Sequence, residues 1–104
     1  MTRYSHPRLN DVSLEAALHA LADPCRFAIV RRLAGQAGEL SCQSAAQAGA
    51  VPKSTLSNHF KILRGAGLIR TRPAGREYLS SLRREEFDAR FPGLLDTVLR
   101  QPQG

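Results

Sequence analysis

A chain of 104 residues, 42% of them hydrophobic, is sized for one domain with a modest core and lacks the composition of a disordered segment. No apolar run approaches the roughly 20 residues of a membrane span, and the opening MTRYSHPRLND has no apolar stretch of the secretory kind. A cytoplasmic protein with no membrane partner is therefore expected. Two cysteines, Cys25 and Cys42, are too few for a disulfide-stapled secreted domain. The formal net charge is +6, and its placement is informative. Residues 40–76 contain no acid and six bases: Lys53, Lys61, Arg64, Arg70, Arg72 and Arg76. The remainder of the chain carries nine of each sign, so the whole excess lies in that segment. Such segregation suits a surface that neutralises phosphates, and suits a merely solvated face less well.

In chain order, residues 1–12 read as a flexible lead-in. Ser13 caps a helix to about Ala22, with Leu14, Leu18 and Leu21 as its apolar stripe. Asp23-Pro24 starts a second helix to about Ala34, which buries Phe27, Val30 and Leu33 with Ile29 beside them. After turns at Gly35 and Gly38, Ser41 caps a short third helix from Cys42 to about Ala48. Gly49-Ala50-Val51 is a tight connection, and Pro52 opens a fourth helix to about Gly65. In that helix Leu56, Phe60 and Leu63 face the core. Ser54, Ser57, Asn58 and Lys61 share a second face that is polar and free of acid. Leu68–Arg72 and Arg76–Leu82 read as a hairpin joined by Pro73-Ala74-Gly75, with arginines near its tip. A polar run from Arg83 to Arg90 precedes a last helix, opened by Pro92 and carrying Leu94, Leu95, Val98 and Leu99. Residues 101–104 form a tail. The expected fold is mainly α with a small β-hairpin, a winged helix-turn-helix over residues 13–100.

The segments LADPCRFAIVRRLA (Leu21–Ala34) and STLSNHFKILRGAGLIRTRPAGREY (Ser54–Tyr78) resemble the ArsR/SmtB family of bacterial regulators, over roughly residues 13–100. The resemblance implies a homodimer built on the first and last helices. It also implies repression of an operator that is released when a small effector binds. The family's metal motifs do not carry over. The pattern of two cysteines flanking one residue after Glu-Leu is replaced by Ser41, Cys42 and Gln43 after Glu39-Leu40, and Glu86–Arg100 holds Asp88 and Asp96 but no histidine. No metal and no cofactor is assigned, and the effector is left open.

A helix of this kind fits the major groove of double-stranded DNA. Ser54, Thr55, Ser57, Asn58 and His59 are the candidates for the groove, Asn58 because its amide pairs bidentately with adenine. Lys53, Lys61 and Arg64 are candidates for the backbone, and Arg72 and Arg76 for the adjacent minor groove or its phosphates. Several of these residues have a plainer alternative. Ser54 or Thr55 would only cap the first turn, His59 would pack against the core, and Arg70 would pair with Glu77 across the hairpin. Two symmetric reading helices imply a pseudo-palindrome with half-sites about one DNA turn apart, or a multiple of it.

Cys25 and Cys42 fall at expected helix N-termini, where exposed amides and the helix dipole favour a thiolate. Thiol sensing of oxidants or a soft metal is one reading; space-filling side chains are the other. Two thiols are too few for a tetrahedral metal unless His6, His19 or a partner chain contributes. No nucleophile elbow, metal-hydrolase spacing or glycine-rich phosphate loop is present, so no enzyme is expected. The rival from another class is a winged helix used for protein contacts, which would carry apolar residues on the outer face of the fourth helix.

Overall fold

Side-chain caps set the first two helices. The Ala16 amide donates to Ser13 Oγ at 3.1 Å and the Arg26 amide to Asp23 Oδ2 at 3.0 Å, satisfying donors that helix starts leave free. These caps open α1 (Leu14–Ala22) and α2 (Pro24–Ala34) in the computed structural model, which describes residues 4–36, 38–46 and 51–102. The expected stripe on α1 divides. Leu21 enters the core with Ala17 and Ala20, whereas Leu14 and Leu18 stay 46% and 45% exposed. On α2 Ile29, Val30 and Leu33 are buried as expected, but Phe27 is only half-buried. Its neighbour Arg26 is buried instead. The Arg26 guanidinium donates to the carbonyls of Ala20 and His19 at 2.9 and 3.1 Å, closing the C-terminal turn of α1 onto α2.

A short strand β1 (Leu40–Ser41) follows and then α3 (Cys42–Ala46), whose start is capped by Ser41 Oγ accepting from the Ser44 amide at 3.1 Å. The expected end of this helix at Ala48 and the Gly49-Ala50 connection lie outside the described residues. α4 (Lys53–Gly65) buries Phe60 and Leu63, with Leu56 packed beside them. It ends against Gly67, at φ +73°. A Cβ there would approach Leu9 Cδ1 to 2.7 Å, so backbone and leucine need the glycine for two reasons.

The wing consists of β2 (Ile69–Ala74) and β3 (Glu77–Leu82), antiparallel and joined at Gly75-Arg76, with Gly75 at φ +64°. β1 adds to the far side of β3, giving a three-stranded sheet in the order β1-β3-β2 where a two-stranded hairpin was expected. Thr71 and Ser80 stand opposite one another in the register. Their buried hydroxyls meet at 2.9 Å, and Cys42 Sγ lies 3.3 Å from the same Ser80 Oγ.

The polar run Arg83–Arg90 forms a helix, α5 (Arg84–Arg90), held by the fully buried Phe87. Burying that ring contributes roughly 1.5–3 kcal/mol. α6 (Leu94–Leu99) starts after Gly93 rather than at Pro92, and Arg31 of α2 donates to the carbonyl of Leu99 at 3.0 Å.

Residues 4–12, read from sequence as a flexible lead-in, pack onto the domain. Leu9 and Val12 are buried in the core, and Leu9–Asp11 form one turn of 3-10 helix. Arg83 and Arg90, both from the distant end of the chain, donate to the carbonyls of Pro7, Leu9 and Val12. His6 Nε2 accepts the Thr71 amide on β2 at 3.0 Å.

Burial and the charges of Arg70, Arg83 and Arg64 hold His6 below its ordinary value. The folded state therefore binds fewer protons than the unfolded state, and the neutral ring's contribution is complete above about pH 6.5 and lost as pH falls through the lower folded value. His6→Gln should remove this part of the acid sensitivity below about pH 6.5, read as the pH dependence of urea midpoints. Parallel curves for the two proteins would contradict it.

Candidate nucleic-acid interface

Helices α3 and α4 and strand β3 enclose an open groove of about 680 Å³. Lys53, Ser54, Ser57, Asn58 and Lys61 line its wall from α4, and all five are exposed. Leu56 and Phe60 form its apolar base on the same helix. The 3.6-residue period thus separates a core face from a row of hydrogen-bonding groups, as the spacing of Ser54, Ser57, Asn58 and Lys61 requires. Thr55 is exposed but absent from the groove wall.

His59 is not on this outer face. Its side chain is 12% exposed and points to α2, with Nδ1 3.2 Å from the Arg26 guanidinium and Nε2 3.9 Å from Asp23 Oδ2. The arginine only donates, so Nδ1 accepts. Packing against the neighbouring helix, the plainer alternative of the sequence, is the geometry found. His59 is too enclosed by α2 to serve as a groove contact.

Two of the six bases in the acid-free segment are met by acids from outside it. Arg72 donates twice to Glu39, at 2.8 Å each, and this pairing holds the Glu39 carboxyl below its usual range. Arg70 pairs with Glu86 at 3.2 Å, not with Glu77, because the register sets Glu77 opposite Ala74 and Arg70 opposite Ser81. Glu86 also receives both an Nε and an Nη hydrogen bond from Arg83, and these hold it at about 2.

Arg64 is half-buried, with its guanidinium 3.8 Å from the centre of the Tyr4 ring, which in turn meets Tyr78 of the wing edge-on at 5.4 Å. Burial lowers the Arg64 value and raises that of Tyr4. Among the described residues Lys53, Lys61 and Arg76 have no ion pair. Of the six bases in the acid-free segment these three are exposed and unpaired there. Arg76 lies beside the groove, in a smaller cleft that also touches Cys42 and Tyr78. The Tyr4–Arg64–Tyr78 stack had no signal in the sequence, since its members are far apart in the chain and follow no periodic pattern.

Cys42 is half-buried, and burial pushes its thiol up, with the Ser80 hydroxyl and Arg64 opposing more weakly. The thiolate expected at the start of α3 is therefore disfavoured: α3 is only five residues long, and desolvation outweighs its few free amides. Cys25, on the first turn of α2, lies near Asp23 and His59.

A family model described as a helix-turn-helix domain matches residues 21–72, which span α2, α3, α4 and the first wing residues. An uncharacterised HTH-type transcriptional regulator of Bacillus subtilis, YceK, is 43% identical over 79 residues, covering 76% of this chain and 79% of that protein. A crystal structure of an ArsR family transcriptional regulator superposes with a TM-score of 0.65 at 28% identity, covering 83% of this chain and 87% of the other. The chain belongs to the ArsR-type winged helix-turn-helix transcriptional regulators. Reduced HlyU from Vibrio cholerae superposes with a TM-score of 0.61 at 27% identity, covering 84% and 88%. In this ArsR-type regulator α3 and α4 are the helix-turn-helix and β2–β3 the wing. These relatives mark a DNA-binding regulator and not an enzyme. No helix among the described residues is long and apolar enough to cross a membrane.

Proposed function

We propose that this ArsR-type regulator is a cytoplasmic homodimeric repressor that reads a pseudo-palindromic operator in double-stranded DNA and leaves it when a small effector binds. The observation that carries the reading is the exposed, acid-free row Ser54, Ser57, Asn58 and Lys61 along the groove wall of α4. Asn58 and the serines supply base-edge contacts, with Thr55 at the helix start. Lys53 and Lys61 hold phosphates. Arg76 reaches the neighbouring backbone from the wing tip. Arg72 and Arg64 join it only by giving up Glu39 and Tyr4 respectively, so their part in binding is smaller.

The dimer is supported by α1. Leu14 and Leu18, one turn apart, are two of the three exposed large hydrophobics among the described residues. The third, Tyr78, belongs to the wing. The outer face of α4 carries no large exposed apolar side chain, which favours DNA over a protein partner there.

Titration of duplex DNA at several salt concentrations tests the reading. Affinity should fall steeply as salt rises, by a log–log slope of about 0.9 per phosphate neutralised. Arg76→Ala should weaken binding to every duplex alike and flatten that slope by about one phosphate. A binding constant indifferent to salt would exclude the interface described.

A further inference from the structure

Three potential metal ligands of different chemistry converge where α2 starts beneath α4. The ligand atoms of Asp23, Cys25 and His59 all lie within 4.8 Å of one another, and each side chain is half-buried. They come from two elements: the cap and first turn of α2, and the inner face of α4. A tetrahedral site with bonds of about 2.0–2.3 Å spaces its ligands roughly 3.3–3.8 Å apart. Closure therefore needs movements of about 1 Å. We propose that Asp23, Cys25 and His59 form a binding site for a borderline divalent cation of the Zn(II) type, with a fourth position left to water or a further donor.

The donor set selects the ion. A thiolate, an imidazole and a carboxylate suit Zn(II) and its spectroscopic substitute Co(II); Mg(II) and Ca(II) prefer oxygen alone. The Asp23 carboxylate is ionised, because the Arg26 amide that it caps holds it below its ordinary value. Its Oδ2, which accepts the Arg26 amide, is also the oxygen that lies 3.9 Å from His59 Nε2, so an ion there shares it with the helix cap.

The ring of His59 gives the site a consequence. In the structure its Nδ1 accepts from Arg26, so the neutral ring carries its proton on Nε2, facing Asp23. An ion bound at Nε2 needs the lone pair there, which moves the ring proton to Nδ1. Nδ1–H and the Arg26 N–H then face one another as two donors, and their contact is lost. Arg26 keeps its bonds to the carbonyls of Ala20 and His19, so its buried charge is not stranded. The Cys25 proton leaves to solvent, and one proton is released per ion bound. Occupancy and the present Arg26–His59 link between α2 and α4 are mutually exclusive. His59, 34 residues from Cys25 in the chain, joins the cluster only through the packing of α4 on α2, whereas His6 and His19 stay outside it.

The test is a Co(II) titration of the reduced, full-length protein, which reads the metal site whether or not the DNA reading stands. Saturation at one ion per chain is expected, with a thiolate-to-cobalt charge-transfer band in the near ultraviolet that Zn(II) displaces. Cys25→Ser should remove the band, and Cys42→Ser should leave it. Asp23→Asn, which keeps the helix cap, should weaken Co(II) at least about tenfold, the smaller end of what disturbed metal sites lose. Zn(II) should also move the ring proton of His59 from Nε2 to Nδ1 by nitrogen NMR. No charge-transfer band, a band that survives Cys25→Ser, or a His59 ring unchanged by Zn(II) would overturn the proposal.

Discussion

Leu18→Glu should leave the protein folded and convert it from dimer to monomer in sedimentation, while lowering affinity for a two-half-site operator by about 10²-fold or more. The argument is one of position. Leu18 is 45% exposed, so its side chain contributes little to the chain's own core, where Ala17, Ala20 and Leu21 face inward from the same helix. With Leu14 one turn earlier it makes an apolar strip that a single chain leaves in water. In the proposed two-fold dimer a glutamate on this strip would place a charge from each copy in an apolar contact. The two reading helices then act separately, and the gain from simultaneous engagement disappears. An unchanged dimer, or an unchanged operator affinity in a proven monomer, would refute the placement of the interface on α1.

Asn58→Ala should weaken binding to the preferred operator by roughly 5- to 150-fold, the value of one bidentate contact to adenine, and leave random duplex nearly unaffected. Asn58 is exposed on the groove wall, between Ser57 and the inward-facing His59, and lies outside the core. Its loss removes a paired donor and acceptor without removing a charge, so the salt slope should stay as it is. Competition of both duplexes against one labelled operator measures the difference. Equal losses on operator and random DNA would show that Asn58 holds the backbone, and would undo the division between reading and positioning residues.

Periodicity and caps made most of the helical frame legible. Ser13, Asp23-Pro24 and Ser41 each start the element assigned to them, because a local side-chain oxygen meets a nearby amide whatever the rest of the fold does. The core face of α4 was legible for the same reason. Elements held by long-range contacts were not. β1 has two residues and exists only by pairing with β3, and α5 shows one buried phenylalanine amid charges. The Arg83 and Arg90 bonds that bring residues 4–12 onto the domain join opposite ends of the chain.

The site divides in the same way. The row Ser54, Ser57, Asn58, Lys61 follows from helical spacing, whereas the state of Arg70 and Arg72 depended on acids beyond the segment. Glu39 borders the acid-free stretch and Glu86 lies beyond its far end, and the two fold back onto Arg72 and Arg70. His59 was ambiguous because it borders the apolar face, and the buried Arg26 across from it resolves the ambiguity.

Selection of bound sequences from a random DNA pool by the reduced protein at physiological salt tests the central claim most directly. The account predicts enrichment of a pseudo-palindrome, its half-sites separated by about one DNA turn or a multiple of it. Failure to enrich any sequence, or enrichment of a lone half-site without its symmetric mate, would contradict a symmetric DNA-reading dimer.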